Sequence, residues 1–322
     1  MQALEFAMNT HIIAVAILVL ISPHFSQAQS VKDLPATRVK DVIYGRKFGL
    51  ALTMDVFTAK KDANGSAIVL MVSGGWISDP AAIDGPIFGQ FLAEPIKRGY
   101  TVFAVVHASQ PKFTIPDAVT DVTRAVRFIR HNAKTFKIDP DRIGVTGASA
   151  GGHLSLMLGT TGAAGNSKAP DPVERASSRV QAVACIFPPT DFLNYGGKGK
   201  YAFAPDGLLE RFRLVIDVRD FDPKTKQFER VSDEKRMEIA RKMSPITHVS
   251  EKSAPTLIIH GDADALVPIS QAEALMARFK EEKAVAELVV RKGRGHDFSK
   301  ADKDFPIIID WFDRHLVKKS GS

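Results

Sequence analysis

The strongest constraint on this chain is segment 142–153, where an apolar run leads into a Gly-x-Ser-x-Gly pentapeptide and then into a helix-like sequence. Gly147 and Gly151 allow a strained strand-to-helix turn and let the two backbones approach closely. Ser149 lies between them, and a serine hydroxyl needs such a turn, together with a neighbouring base, to act as a nucleophile. The pentapeptide also occurs in ordinary turns, but its context predicts Ser149 as a nucleophile.

Two further residues follow in the order that this turn predicts. Asp264 follows the apolar strand 255–260, and His296 follows the strand 286–290. The chain order Ser, Asp, His is that of enzymes built on a serine turn of this kind. Such chemistry needs a histidine that acts first as base and then as acid, and a buried carboxylate that orients it. The sequence therefore predicts a triad of Ser149, His296 and Asp264.

Other acids and histidines compete for these roles. Asp262 precedes Asp264 by two residues, but the pattern His-Gly-x-x-Asp-x-x-Val favours Asp264 and leaves Asp262 to shape the turn. Asp191 follows the strand 180–187 and is a third candidate, which we expect to cap its own turn. His153 either lines the site or supports it, and His260 is expected to be a hydrogen-bonded core residue.

A glycine-containing turn is the candidate for an oxyanion hole. The strand 67–72 leads into Ser73-Gly-Gly-Trp76, one β-α unit before the serine turn. Small residues there let backbone N–H groups approach a reacting carbonyl oxygen, and the residue after the nucleophile supplies a further donor. We predict the donors to be the N–H groups of Gly75, Trp76 and Ala150.

Together these motifs resemble the α/β-hydrolase superfamily, and within it the esterase and lipase branch that includes acetyl esterases and feruloyl-esterase-like carboxylesterases. The resemblance covers residues 39–317 and is carried by Asp139-Pro-Asp-Arg-Ile-Gly-Val-Thr-Gly-Ala-Ser-Ala-Gly-Gly-His-Leu and by the approach to Asp264. That approach is also similar to prolyl-oligopeptidase-like enzymes.

The oxyanion loop departs from the family pattern at two positions. One departure is Ser73, where the family has a histidine that anchors the oxyanion loop, and a serine hydroxyl would have to bond in its place. Trp76 stands where the family has a third glycine, and a bulky indole there would favour small acyl groups.

The rest of the chain predicts an α/β fold, with a mostly parallel central sheet and helices on both faces. In the helix that begins near Pro116, Ile115, Val119, Val122, Val126 and Ile129 recur at helical spacing. Residues 190–250 break the alternation, with 12 Lys or Arg and 10 Asp or Glu in 61 residues. Such an interval predicts a cap inserted between the last strands, partly helical around 233–242. Its aromatic residues either line the substrate pocket or form the cap's own core: Tyr195, Tyr201, Phe203 and Phe212.

The first 28 residues resemble a secretory signal. Residues 12–21 form an apolar run that is short for a membrane span, and Ser26-Gln27-Ala28 offers small residues before a cleavage point. The alternative is an uncleaved anchor, since this segment carries Glu5 and no Lys or Arg. We expect a signal peptide at 1–28, a hydrolase domain at 29–322, and a secreted or periplasmic protein without stable membrane insertion after cleavage.

Composition excludes several other classes of function. Cys185 is the single cysteine, so no intramolecular disulfide can form, and no Cys/His ligand set predicts a metal site or a cofactor. The net charge of +7 is spread among acidic residues and forms no basic stripe, which disfavours nucleic-acid binding.

The sequence thus predicts a secreted serine hydrolase that cleaves carboxylic esters, small or polysaccharide-linked, through an acyl-enzyme. Two alternatives remain. One is a serine peptidase or amidase of prolyl-oligopeptidase-like type, which uses the same triad. The other is a catalytically inactive binding protein on the same fold.

Overall fold

A computed structural model describes residues 30–317 of the chain. The predicted signal peptide, residues 1–28, lies outside the described residues. The division of the chain at residue 28 therefore stays a prediction.

Eight strands form one sheet in the order β1-β2-β4-β3-β5-β6-β9-β10. Strand β2 pairs antiparallel with both of its neighbours, β1 and β4, and all other neighbouring strands of this sheet pair parallel. The central strands β3, β4 and β6 are short, apolar and buried at every position, as is typical of parallel strands covered on both faces. The bounds are β1 Ala36–Lys47, β2 Leu50–Ala59, β3 Ala67–Met71, β4 Thr101–Val105, β5 Ile143–Ala148, β6 Ala182–Ile186, β9 Thr256–Gly261 and β10 Ala286–Arg291, with a separate hairpin β7 Arg219–Asp222 and β8 Gln227–Arg230.

Helices cover both faces of this sheet, and the side chains of the central strands alternate between two buried clusters. In β4, Phe103 and Val105 belong to the cluster under α2, α4 and α6, whereas Val102 and Ala104 belong to the cluster under α1 and α7. The predicted fold class is therefore confirmed. The helices are α1 Pro86–Lys97, α2 Ile115–His131, α3 Ala133–Phe136, α4 Ala150–Thr161, α5 Asp233–Lys242, α6 Ser270–Glu281 and α7 Ala301–Leu316.

The helix α2 shows how local sequence sets an element. Thr114 and Asp117 form a reciprocal capping box at its N-terminus, which satisfies backbone N–H groups that have no partner within the helix. Its predicted apolar face is buried at Val122, Val126 and Ile129 and packs onto the sheet. This face therefore fixes the orientation of α2 against the strands.

Residues 190–250 lie between β6 and β9, and this segment is called the insertion below. It contains a 3-10 helix at Glu210–Ile216, the hairpin β7–β8 and the helix α5. The helix α5 occupies the range predicted to be helical, with Ser232 as its N-cap. The hairpin carries two exposed aromatic rings, Phe221 and Phe228, in contact at 5.5 Å.

Candidate active site

The turn at Ser149 joins β5 directly to α4. Ser149 has φ 52° and ψ −121°, a backbone conformation that costs a non-glycine residue on the order of 1–3 kcal/mol. A Cβ on Gly147 would lie 2.5 Å from the carbonyl carbon of Gly151, and a Cβ on Gly151 would lie 2.9 Å from the carbonyl oxygen of Met71. The two glycines are therefore required, because the strand and helix backbones touch where any side chain would stand.

Ser149, His296 and Asp264 form one hydrogen-bonded chain. The Nε2 atom of His296 lies 3.0 Å from Ser149 Oγ, and its Nδ1 atom lies 2.7 Å from Asp264 Oδ2. Because an ionised carboxylate only accepts hydrogen bonds, Nδ1 carries the proton and Nε2 is free to accept from the serine hydroxyl. The three residues follow β5, β9 and β10, whose carboxyl ends meet at one edge of the sheet.

Asp264 is held as a carboxylate by its surroundings. Burial acts to raise its pKa, but hydrogen bonds from His260 and His296 and the N–H of Val267 outweigh burial and hold the pKa well below its usual range. The N–H groups of Leu266 and Val267 donate to Oδ1 at 2.9 and 2.8 Å. The negative charge therefore stays beside the imidazole of His296 across the neutral pH range.

The competing residues have other partners. Asp262 accepts from the N–H of Gly293 at 2.6 Å, so it joins the loop after β9 to the loop after β10 instead of shaping its own turn. Asp191 accepts from the N–H of Leu193 at 2.9 Å and caps its own turn. The fully buried His260 bonds through Nε2 to the carbonyl of Val267 at 2.8 Å, and the same nitrogen lies 3.5 Å from Asp264 Oδ2. Of the three carboxylates weighed from the sequence, the structure brings Asp264 to His296.

Sequence reasoning missed the residues that support the loop of His296. The ring of Phe187, which directly follows β6, contacts the imidazole with 4.2 Å between ring centroids. Arg294 forms a buried ion pair with Asp304 of α7, and its carbonyl accepts from the N–H of Ala263 at 3.1 Å. In the sequence, Phe187 is indistinguishable from the apolar residues of the strand before it. The Arg294–Asp304 pair joins a loop to a separate helix, so no local sequence pattern predicts it.

The loop at 73–77 presents free backbone donors. Gly74 and Ile77 exchange two backbone hydrogen bonds, and between them Gly75 and Trp76 have φ values of 55° and 58°. Within residues 30–317, no hydrogen bond has the N–H of Gly75 or Trp76 as its donor, and Ala150 is the first residue of α4, where the N–H has no partner inside the helix. The loop also lies against the serine turn, because a Cβ on Gly151 would lie 3.4 Å from the carbonyl oxygen of Ser73.

Side chains from the end of β4 fix one side of this loop. Ser73 Oγ lies 2.8 Å from His107 Nε2, and His107 Nδ1 donates to the carbonyl of Ala108 at 2.8 Å. The side chain of Gln110 donates to the carbonyl of Gly75 at 2.6 Å. The hydroxyl of Ser73 therefore does form a hydrogen bond, and its partner is a histidine that follows the neighbouring strand β4.

The insertion covers the other side of the loop. The indole of Trp76 is 3% exposed and makes edge contacts with Phe192, Phe203 and Phe212, and its N–H donates to His153 Nδ1 at 3.2 Å. The Phe203 ring is thus part of a buried cluster around Trp76. Tyr195 is also buried and donates to the carbonyl of Leu266 at 3.2 Å. Tyr201 contacts the Phe203 ring at 5.8 Å between centroids.

The described residues contain neither a candidate metal-binding group nor a candidate membrane-spanning helix. Among residues 30–317, no group of three or more His, Cys, Asp or Glu side chains is placed to hold a metal ion. In the same range, no helix is both long and apolar enough to cross a membrane.

This sheet order and this serine turn define an α/β hydrolase. The BD-FAE family model matches residues 54–279, more than half of the chain, and the chain belongs to the BD-FAE family. It is 29% identical over 244 residues to the probable carboxylic ester hydrolase LipM of Mycobacterium tuberculosis, covering 75% of this chain and 51% of LipM. It is 29% identical to the esterase LipC of the same organism, covering 78% of this chain and 58% of LipC. The chain thus spans about half the length of these relatives.

Among solved structures, a truncated carbohydrate esterase from gut microbiota superimposes with a TM-score of 0.70 at 25% identity. The superposition covers 89% of this chain and 99% of that esterase.

Two buried neutral histidines predict a loss of stability in acid. Burial lowers the pKa of His107 and of His153 to about 4, from an ordinary value near 6.5. The unfolded chain therefore binds more protons between these values, and the free energy of unfolding falls as pH drops through this window, by on the order of 3 kcal/mol per histidine. Urea unfolding at pH 6.5 and 4.5 measures the fall. A double variant, His107→Gln with His153→Gln, should show a shallower pH dependence, and an unchanged slope would contradict this origin.

Proposed function

We propose that the protein hydrolyses carboxylic esters through an acyl-enzyme on Ser149. The observation that carries the proposal is the hydrogen-bonded chain from Ser149 through His296 to Asp264. Ser149 Oγ attacks the ester carbonyl carbon while His296 Nε2 takes its proton. Asp264 stabilises the imidazolium that forms. His296 then protonates the departing alcohol as the carbon–oxygen bond to it breaks, which leaves the acyl group on Ser149.

A water molecule completes the cycle. His296 removes a proton from water as its oxygen attacks the acyl carbonyl, and the same histidine returns that proton to Ser149 Oγ when the acid leaves. In both halves the negative charge on the carbonyl oxygen is stabilised by the N–H groups of Gly75, Trp76 and Ala150. Their support is that protein acceptors do not occupy them in the described residues, which leaves them available for a substrate oxygen.

The comparisons support an ester in preference to an amide, because the relatives LipM and LipC are named as ester hydrolases. The intact chain of Ser149, His296 and Asp264 supports an enzyme in preference to an inactive binding protein. We propose small or polysaccharide-linked esters as the substrate class, supported by the likeness to a carbohydrate esterase. Hydrolysis rates on acetylated and feruloylated polysaccharides, compared with rates on simple esters, test this choice. Turnover of simple esters alone would exclude polysaccharide-linked esters as substrates.

Replacing the nucleophile should abolish turnover. Ser149→Ala removes the atom that forms the acyl-enzyme, so we expect hydrolysis of p-nitrophenyl acetate to fall by about 10⁴-fold or more while the fold is retained. A fluorophosphonate probe should label the wild-type protein at Ser149 and leave the variant unlabelled, as intact-mass spectrometry would show. Full activity in the folded variant would remove Ser149 from the mechanism.

We also propose that short acyl chains are preferred. The support is the ring of Phe212, which lies 2.6 Å from the position of a Cβ on Gly75, so that the insertion leaves little room beside this N–H donor. We expect p-nitrophenyl acetate to be cleaved at least about tenfold faster than the dodecanoate, since a long chain would have to displace the ring. Phe212→Ala should narrow this ratio, whereas Phe221→Ala, on the exposed hairpin, should preserve it. Equal rates on the two esters in the wild-type protein would refute the preference.

Export with removal of residues 1–28 is proposed on the sequence alone. The apolar run at 12–21 and the small residues before the bond from Ala28 to Gln29 support it. We expect N-terminal sequencing of the protein recovered from the periplasm or medium of an expressing bacterium to begin at Gln29. An N-terminus at Met1 in the membrane fraction would instead identify a retained anchor.

A further inference from the structure

The backbone at Trp76 is strained in a way that needs an explanation. Two consecutive residues, Gly75 and Trp76, have φ values of 55° and 58°. Glycine adopts this conformation freely, but a bulky residue there is an outlier that persists only where surrounding contacts hold it. The strained residue supplies one of the proposed oxyanion donors, so its supports are part of the site.

One support is a buried histidine that bonds on both sides. The indole N–H of Trp76 donates to His153 Nδ1 at 3.2 Å, and His153 Nε2 donates to the carbonyl of Met243 at 2.7 Å. This pattern requires a neutral imidazole with its proton on Nε2. The His153 side chain is fully buried, which favours that neutral form.

This histidine bridge connects Trp76 to the serine turn on one side and to the insertion on the other. His153 lies on α4, four residues after Ser149, and its N–H bonds to the carbonyl of Ser149 at 2.9 Å. Met243 directly follows α5 in the insertion. The rings packed around the indole, those of Phe192, Phe203 and Phe212, also belong to the insertion.

The supports on the other side of the loop do not reach Trp76. His107 bonds to Ser73, and Gln110 bonds to the carbonyl of Gly75. Both residues follow β4 and hold the beginning of the turn. Trp76 is instead connected through its side chain to α4 and to the insertion.

We infer that His153 is a positioning residue of the oxyanion hole, through which the insertion between β6 and β9 holds the N–H donors of Gly75 and Trp76 in place. The inference rests on the proposed esterase function. His153 touches neither the nucleophile's hydroxyl nor the substrate carbonyl in this role. It acts by keeping Trp76 in its strained conformation, so that removing the bridge lets the turn relax and moves the donors.

Kinetics of two His153 variants test the inference. His153→Leu removes both hydrogen bonds at similar volume, and we expect kcat for p-nitrophenyl acetate to fall by about 10- to 100-fold, because donors displaced from the developing oxyanion act on the transition state. KM should stay within about threefold, since ground-state binding changes little. His153→Gln can accept from Trp76 and donate to Met243, and it should recover most of the lost kcat.

A matched control separates positioning from general loss of stability. Leu156 is fully buried on the same helix and makes no polar contact with the loop. Leu156→Ala should therefore lower the midpoint of urea unfolding at least as much as His153→Leu, yet keep kcat within about twofold of wild type. The bridge is refuted as a positioning device if His153→Leu, shown to be folded, keeps wild-type kcat, or if Leu156→Ala loses kcat to the same extent.

A second measurement reports on the bridge without relying on ester hydrolysis. The chain has two tryptophans, so two indole N–H signals are expected in a ¹⁵N spectrum, and Trp311→Phe assigns them. The indole N–H hydrogen of Trp76 should exchange slowly with solvent in the wild-type protein. In His153→Leu it should exchange at least about tenfold faster, because the indole has lost the hydrogen bond that opposes local opening. An unchanged exchange rate would overturn the bridge, whereas failure of the wild-type protein to cleave any ester would overturn the proposed function instead.

Discussion

The close approach of β5 and α4 is the constraint on which the rest of the site depends. At Gly147 and Gly151 the two backbones touch, and no side chain could be accommodated. This contact forces Ser149 into a conformation that a strand or a helix would not give it. It also brings the N-terminus of α4 against the loop after β3, so one backbone contact positions both Ser149 and the N–H groups proposed to stabilise an oxyanion.

The two side chains that are hydrogen-bonded in series to Ser149 are placed by loops that contact each other. The loop after β9 carries Asp264 and the loop after β10 carries His296, and a Cβ on Gly261 would collide with the carbonyl of Arg294 between them. The buried pair of Arg294 and Asp304 ties the second loop to α7. Such a pair contributes little net stability once the cost of burying both charges is counted, but it specifies where the loop lies. The imidazole is thereby held at hydrogen-bond distance from two partners that are far apart in sequence.

Neutral buried histidines recur around this site. His107 and His153 each bond to one residue of the loop at 73–77, and burial lowers the pKa of both, which keeps them uncharged at neutral pH. A neutral imidazole offers one donor and one acceptor, so it can join two groups that would otherwise be left unpaired inside the protein. The insertion therefore contacts the loop at 73–77 in two ways. Its aromatic rings pack around Trp76, and the carbonyl of Met243 bonds to His153, which in turn bonds to Trp76.

The sequence by itself determined the fold class and predicted the three residues that the structure joins by hydrogen bonds, Ser149, Asp264 and His296. The pattern around Ser149, the order of Asp264 and His296, and the apolar strands and helices are local, and local patterns follow from backbone sterics and periodicity. Tertiary structure alone decided the support of His296 by Phe187 and the bridge from Trp76 through His153 to Met243. These contacts join residues between 77 and 109 positions apart, and no local sequence pattern records them.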